Sequence, residues 1–181
     1  MNETFRIRRA GDADAALLAR LAALTFPLAC PPHTTDEAKA AHIARHLGEG
    51  SFARYLADPT RALLVAESDT GLLGYTMLVE GEPDDPDVAA AVTTRPTVEL
   101  SKVYVHPDHH GAGIAAALVA ATLEEAAARG AASVWLGVNQ ENARANRFYD
   151  KSGFALVGTK RFEVGDRYED DFVRERVLDA G

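Results

Sequence analysis

The stretch from Glu99 to Arg129 constrains this chain most: an apolar run, a short polar break, two glycines and a long alanine-rich segment. Leu100, Val103, Tyr104 and Val105 supply the β-branched and aromatic content of a strand. Pro107, in the break His106-Pro107-Asp108, cannot donate to a ladder, so the strand ends there. Gly111 and Gly113 then open a helix with Ile114, Leu118 and Ala121 on one face and Val119, Leu123 and Ala126 beside it, a breadth of apolarity that predicts burial. Glu125 and Arg129 stand at i, i+4, and Gly130 follows as the C′ residue. A glycine pair at a helix start lets the backbone approach a ligand closely, while the free N–H groups of the first turn and the positive end of the helix dipole face it. That suits a phosphate. Glycines there also serve a turn and tight packing with no ligand at all, so the surrounding elements must decide.

Two familiar phosphate loops do not fit. Gly111-Ala112-Gly113-Ile114-Ala115-Ala116 satisfies G-x-G-x-x-A, but the dinucleotide-binding unit expects its glycines directly after the strand and an acidic residue about 20 positions on. Here His106 to His110 intervene, and the next strand ends near Val138-Asn139 without a carboxylate. No Gly-Lys-Ser/Thr occurs, which excludes a Walker loop.

In chain order, Phe5-Arg6-Ile7-Arg8 alternates as a half-buried strand would. A helix follows, capped by Asp12 or Asp14, with Leu17, Leu21 and Leu24 in register and Pro27 closing it. Thr34 and Glu37 have the spacing of a capping box for a helix through Ile43 to Leu47, ended by Gly48 and Gly50. Phe52, Tyr55 and Leu56 predict a short helix stopped by Asp58-Pro59, and strands are expected over 62–67 and 72–79 around a turn at 69–71. The segment 80–96 reads as a loop rich in carboxylates, either a negative field that draws in protonated amines or a solvated, solubilising stretch. After the central helix, Val134 to Val138 forms a strand parallel to the one before it, joined by a right-handed crossover. Asn139 or Asn142 opens a short helix ending at Ser152-Gly153, then come a strand over 154–159, a turn at Val164-Gly165-Asp166 and an antiparallel closing strand over 172–178.

At 181 residues the whole chain, 1–181, suits one domain with a real core. A net charge of -8 argues against nucleic acid as a partner and is compatible with a cationic substrate. One cysteine, Cys30, excludes an internal disulfide. The polar start Met1-Asn2-Glu3-Thr4 has no apolar signal core, and no apolar run approaches the roughly 20 residues of a membrane span, so the expectation is a cytoplasmic protein with no membrane partner.

The residues Val103-Tyr104-Val105-His106-Pro107 with His110-Gly111-Ala112-Gly113-Ile114-Ala115, followed by Asn142-Ala143-Arg144-Ala145-Asn146-Arg147-Phe148-Tyr149 and Gly153-Phe154, strongly resemble the GNAT superfamily of N-acetyltransferases. The second block lies at the expected distance from the first, and the order of elements before them also fits, so the resemblance covers most of the chain. It implies a single α/β (α+β) domain whose mixed central sheet, of about six to seven strands flanked by helices, splays at an acetyl-CoA site. It implies acetyl transfer from acetyl-CoA to a primary amine by direct attack in a ternary complex, without a metal. A weaker similarity to bacterial spermidine/spermine acetyltransferases, carried by Trp135-Leu136-Gly137-Val138, 158–166 and Asp171-Phe172-Val173, makes a polyamine or another small amine the expected acceptor. Members of the family often dimerise, so a homodimer is compatible with the resemblance, although no stripe in the sequence names an interface.

By that resemblance the pyrophosphate of acetyl-CoA sits on the N–H groups of Gly111, Ala112, Gly113, Ile114, Ala115 and Ala116, and its pantetheine lies along Val103, Tyr104 and Val105 like an extra strand. A backbone N–H near Val103 polarises the thioester carbonyl, Asn142 holds the pantetheine amide, and Tyr149, a phenol with an ordinary pKa of about 10, protonates the departing sulfur. The alternative for Tyr149 is simple packing beside Phe148. One position departs: the family's loop usually begins with Gln or Arg, and His110 stands here, which supplies less charge to a pyrophosphate. For the base, Glu99 has the parity of Val103 and Val105 along an ideal strand and so faces the acceptor unless a bulge intervenes. A solvent-facing or paired Glu99 fits equally, and Glu80 and Glu82 are further candidates. Cys30 reads as a buried thiol. His42 and His46 at i, i+4, and His106, His109 and His110 near Asp108, have metal-ligand spacing, but exposed helix and loop histidines explain both groups. The rival functions are a non-catalytic acetyl-CoA sensor of the same fold and a nucleotide-binding module.

Overall fold

The computed structural model describes residues 4–164 and 167–179. Its elements are β1 (Arg6–Arg9), α1 (Ala15–Ala29, after a 3-10 turn at Asp12–Asp14), α2 (Asp36–His46), α3 (Glu49–Ala57), β2 (Arg61–Ser68), β3 (Gly71–Glu80) and α4 (Pro86–Ala91), then β4 (Thr97–Val105), α5 (Ile114–Ala128), β5 (Ser133–Asn139), α6 (Ala143–Lys151), β6 (Ala155–Val164) and β7 (Arg167–Val177). The predicted turn at 164–166 falls largely outside the described residues.

The strands form one seven-stranded mixed sheet in the order β1-β2-β3-β4-β5-β7-β6. β4 and β5 are the parallel pair flanking the α5 crossover, and β7 inserts antiparallel between β5 and β6. Pairing between β4 and β5 is confined to Thr97↔Ser133, Val98↔Val134 and Glu99↔Trp135. From Leu100 onward β4 has no strand partner on that side among the described residues, and the sheet splays open as the family resemblance implied. One face packs on α1 and α3 through Leu18, Phe26, Phe52, Val65, Tyr75 and Met77. The other packs on α5 through Leu78, Leu100, Val119, Leu123 and Leu136. Gly74 lets α5 lie close, because a Cβ there would meet the Tyr104 carbonyl at 2.9 Å and Leu118 at 3.0 Å.

Several local expectations are corrected. The buried face of α1 is Leu18, Leu21, Ala22, Thr25 and Phe26, whereas Leu17 and Leu24 are exposed; with apolar residues on both sides of the helix, periodicity alone chose the wrong stripe. Pro27 lies inside α1, which runs on to Ala29. The cap of α2 is Thr35, whose hydroxyl accepts from the Ala38 N–H, rather than Thr34. Gly48 opens α3 and Gly50 lies within it. The acidic segment contains α4, opened by Asp85 with Pro86 in the first turn.

Candidate active site

Gly111 and Gly113 take φ of 84° and 80°, the left-handed region that favours glycine, and so turn the chain from the end of β4 into α5. The first intrahelical bond of α5 is Ala117 N–H to Gly113 O, which leaves the amides of Ile114, Ala115 and Ala116 without a helical acceptor. These residues line a cavity of about 480 Å³, together with His110, Gly111, Gly113, Val103, Tyr104, Val105, Asn142, Arg144 and Tyr149. Ala112 is the exception in the predicted run: it packs into the core under α5, and its N–H bonds the His109 carbonyl at 3.4 Å.

His110, which departs from the family pattern, has a partner at each ring nitrogen. One ring nitrogen, Nε2, lies 3.0 Å from the Val105 carbonyl, and the other, Nδ1, lies 2.8 Å from Nη1 of Arg144 on α6. Carbonyl oxygens only accept and guanidinium N–H groups only donate, so the neutral Nε2–H tautomer satisfies both. The imidazole thereby braces Arg144 at the wall of the cavity. Asn142 caps α6 by accepting from the Ala145 N–H, so its carboxamide NH₂ is the group left for a ligand.

A second cavity of about 560 Å³ shares Val103, Tyr104, Asn142, Ala145 and Tyr149 with the first. The two meet at Tyr149. Its ring packs edge-on against Phe148 and Phe154, and burial and Tyr104 push its hydroxyl well above the ordinary phenol range. Among the described residues none takes a hydrogen bond from that hydroxyl.

Glu99 lines the second cavity, but by a different route from the expected one. Leu78 pairs with Leu100 and Met77 with Lys102, so Ser101 bulges out of the β3–β4 ladder. The bulge reverses parity: Glu99 shares a sheet face with Lys102 and Tyr104, opposite to Val103 and Val105. Burial raises the Glu99 carboxyl above its usual range, opposed by Lys160, Lys102 and Arg61. Residues of this cavity that sequence reasoning missed include Asp171, raised to about 6 chiefly by burial and held 3.7 Å from Lys160. Gly137 makes room for that pair, because a Cβ there would strike the Lys160 chain.

The other candidates lie elsewhere or are occupied. Glu80 bonds Arg129 and Glu82 bonds Arg95, and neither lines either of these two cavities. Of the acidic segment only Asp84 reaches the second cavity. Cys30 is half-buried on that cavity's rim, with its thiol bonded to the Phe26 carbonyl and its pKa raised by burial, so it is a poor nucleophile. His42 stacks on Phe26 and is held down to about 4, mainly by burial, while the exposed His46 beside it is also shifted down, so both are neutral at neutral pH. Among the described residues, those that cluster with metal-ligand spacing are His33, Glu141 and Glu169, where His33 Nε2 lies 2.6 Å from Glu169. That is a hydrogen-bonded latch from the α1–α2 loop to β7.

The acetyltransferase (GNAT) family profile matches residues 23–154. Proteins of Mycobacterium bovis and Mycobacterium tuberculosis named as uncharacterized N-acetyltransferases are each 48% identical over 165 residues, covering 91% of this chain and 98% of theirs. Among solved structures, the PaiA N-acetyltransferase of Thermoplasma acidophilum in complex with coenzyme A superposes with a TM-score of 0.76 at 18% identity, covering 97% of this chain and 99% of that one. The yncA protein of Salmonella typhimurium, solved with its cofactor acetyl-CoA, gives 0.64 at 26% identity over 98% and 95% of the two chains. On the profile match and the mycobacterial relatives, the chain belongs to the acetyltransferase (GNAT) family of N-acetyltransferases.

Proposed function

We propose that the enzyme moves the acetyl group of acetyl-CoA to a small primary amine by direct attack within a ternary complex. The observation that carries this reading is the meeting of two cavities at Tyr149, one floored by free amides and the other walled by ionisable side chains. The first fits acetyl-CoA: the amides of Ile114 to Ala116 and the braced Arg144 suit its phosphates, and the unpaired edge of β4 from Val103 to Val105 can accept pantetheine as an added strand. The Asn142 carboxamide donates to the pantetheine amide, and an N–H near Val103 polarises the thioester carbonyl. Glu99 takes a proton from the acceptor ammonium, the freed amine attacks the carbonyl carbon, and Tyr149 gives its proton to sulfur as the carbon–sulfur bond breaks. The second proton, shed by the new amide nitrogen, restores the Tyr149 hydroxyl while Glu99 releases its own to solvent.

The test is thiol release from acetyl-CoA over a panel of amines. Turnover is expected in wild type and a fall of about 100-fold in Glu99→Gln. Glu99 works as a base only when ionised, so the wild-type rate is lost as pH falls through its raised pKa, above the ordinary carboxylate range of about 4.3. The Gln variant should lose that limb; a limb that persists near pH 6 and vanishes in Asp171→Asn would move the role to Asp171. Binding of acetyl-CoA with no thiol release from any amine would favour a sensor.

Arg144→Ala provides a separate check on the first cavity. It is expected to weaken acetyl-CoA binding by about 10-fold in calorimetry, the low end for a charged hydrogen bond because the site is exposed. In kinetics it should raise KM for acetyl-CoA far more than it lowers kcat. An unchanged dissociation constant would remove Arg144 from the phosphate site.

A further inference from the structure

The floor of the second cavity lies on three strands whose paired residues share a face, and Arg61, Met77, Val79, Glu99, Lys102 and Tyr104 of that face line it. Arg61, Val79 and Glu99 form one row across β2, β3 and β4; Leu63, Met77 and Lys102 form the next; Val65, Tyr75 and Tyr104 the third, beside Tyr149. Rows of this kind put the Arg61 and Glu99 backbones two strand spacings apart, on the order of 10 Å. The cations Arg61 and Lys102 both lie over the Tyr55 ring, at 4.9 Å and 6.0 Å from its centroid. Arg61 is paired with Asp58 at 3.2 Å. Lys102 is half-buried and makes no ion pair with any described carboxylate. Burial holds its ammonium pKa down, partly offset by Glu99 and reinforced by Arg61.

A half-buried cation with no direct counter-ion is costly unless something else supplies the charge. His42 and His46 on the adjoining wall offer none. The anionic groups of this cavity lie towards Glu99, Asp171 and Glu169, with Asp84 at the edge. Besides the Lys160–Asp171 pair, the cavity thus offers carboxylates that suit an ammonium and, over the Tyr55 ring, the two cations Arg61 and Lys102 that suit an anion. A polyamine, cationic at every nitrogen, would have to meet Arg61, Lys102 and Lys160.

We propose that the acceptor is an amine that also carries a carboxylate, an amino acid or a close analogue, with its carboxylate held by Lys102 and Arg61 and its nitrogen presented to Glu99. This rests on the acetyl-transfer reading and narrows its substrate class.

The experiment measures thiol release from acetyl-CoA with amines in matched pairs: β-alanine against 3-amino-1-propanol, 4-aminobutyrate against 4-amino-1-butanol, and L-alanine against L-alaninol, with spermidine alongside. Wild type, Lys102→Gln and Arg61→Gln are compared. The expected result is a kcat/KM about 10- to 100-fold higher for at least one carboxylated member over its alcohol, the range of a charged hydrogen bond, expressed mainly in KM. In Lys102→Gln that ratio should fall towards one. Equal rates within every pair, or a preference for alcohols or spermidine, overturns the proposal. So does a loss in Lys102→Gln that lowers both members of a pair alike, because Lys102 would then act only through the Glu99 proton. Should Lys102→Gln not fold, the wild-type ratios and Arg61→Gln still decide. Release of thiol with the amines but no carboxylate preference sinks the substrate class and leaves acetyl transfer standing, whereas an absence of release with every amine sinks both.

Discussion

Replacing Tyr149 by Phe is expected to lower kcat by about 100- to 1,000-fold while leaving the dissociation constant for acetyl-CoA within about twofold. The ring stays, so its packing against Phe148 and Phe154 and the fit of α6 on the sheet are kept; only the hydroxyl at the junction of the cavities is removed. Because burial raises the Tyr149 pKa, the group is protonated across the whole working range and can serve as an acid but not as a base. The acidic limb of the pH–rate profile should therefore survive in Tyr149→Phe and be lost in Glu99→Gln, which separates the two roles without a substrate-bound structure. Rapid-quench or thiol-trapping kinetics at saturating amine would make the measurement. A kcat within threefold of wild type would reduce Tyr149 to a packing residue.

How much of this site could be read from the chain depended on whether each part was local. Pro107, the positive-φ pair Gly111 and Gly113, and the Asn142 cap act within a few residues of themselves, and each stands where propensity and turn chemistry place it. The splay of β4 from β5 followed from the family resemblance rather than from any pattern of residues. The Ser101 bulge left no mark, since one unpaired residue changes neither composition nor hydrophobicity yet turns Glu99 to the other face. The brace between His110 and Arg144 joins residues 34 positions apart and appears only once α6 is packed beside the loop. The acceptor cavity was the least legible, because Arg61, Lys102, Lys160 and Asp171 come from four different strands and their charges look like ordinary surface residues in the sequence. The position of β7 between β5 and β6, on which the sequence carries no mark, is what brings Asp171 and Lys160 there.

The same insertion of β7 sets up the largest stability effect. Arg174 on β7 has a side chain only 5% exposed, and it donates to Asn146 Oδ1 at 3.0 Å, to Asp150 Oδ1 at 2.6 Å and to the Phe154 carbonyl at 2.9 Å. It thus ties the outward side of α6, the helix that carries Tyr149, to the sheet. Arg174→Ala removes all three donors and leaves a cavity where the arginine stem lay, with the Phe154 carbonyl buried and unsatisfied. Asp150 is 67% exposed and rehydrates, so the penalty falls short of that for a fully buried broken pair. A loss of about 2–4 kcal/mol is expected, which for a domain of this size lowers the midpoint of thermal unfolding by about 5–15 °C. Asp150→Asn should cost less than about 1 kcal/mol, because its side of the pair is in water. Differential scanning calorimetry of the two variants reads the contrast directly. Near-equal shifts would mean that the Asp150 bond dominates and that the Asn146 and Phe154 contacts contribute little. A large shift in Arg174→Ala alone would make that side chain the anchor that holds Tyr149 between the two cavities.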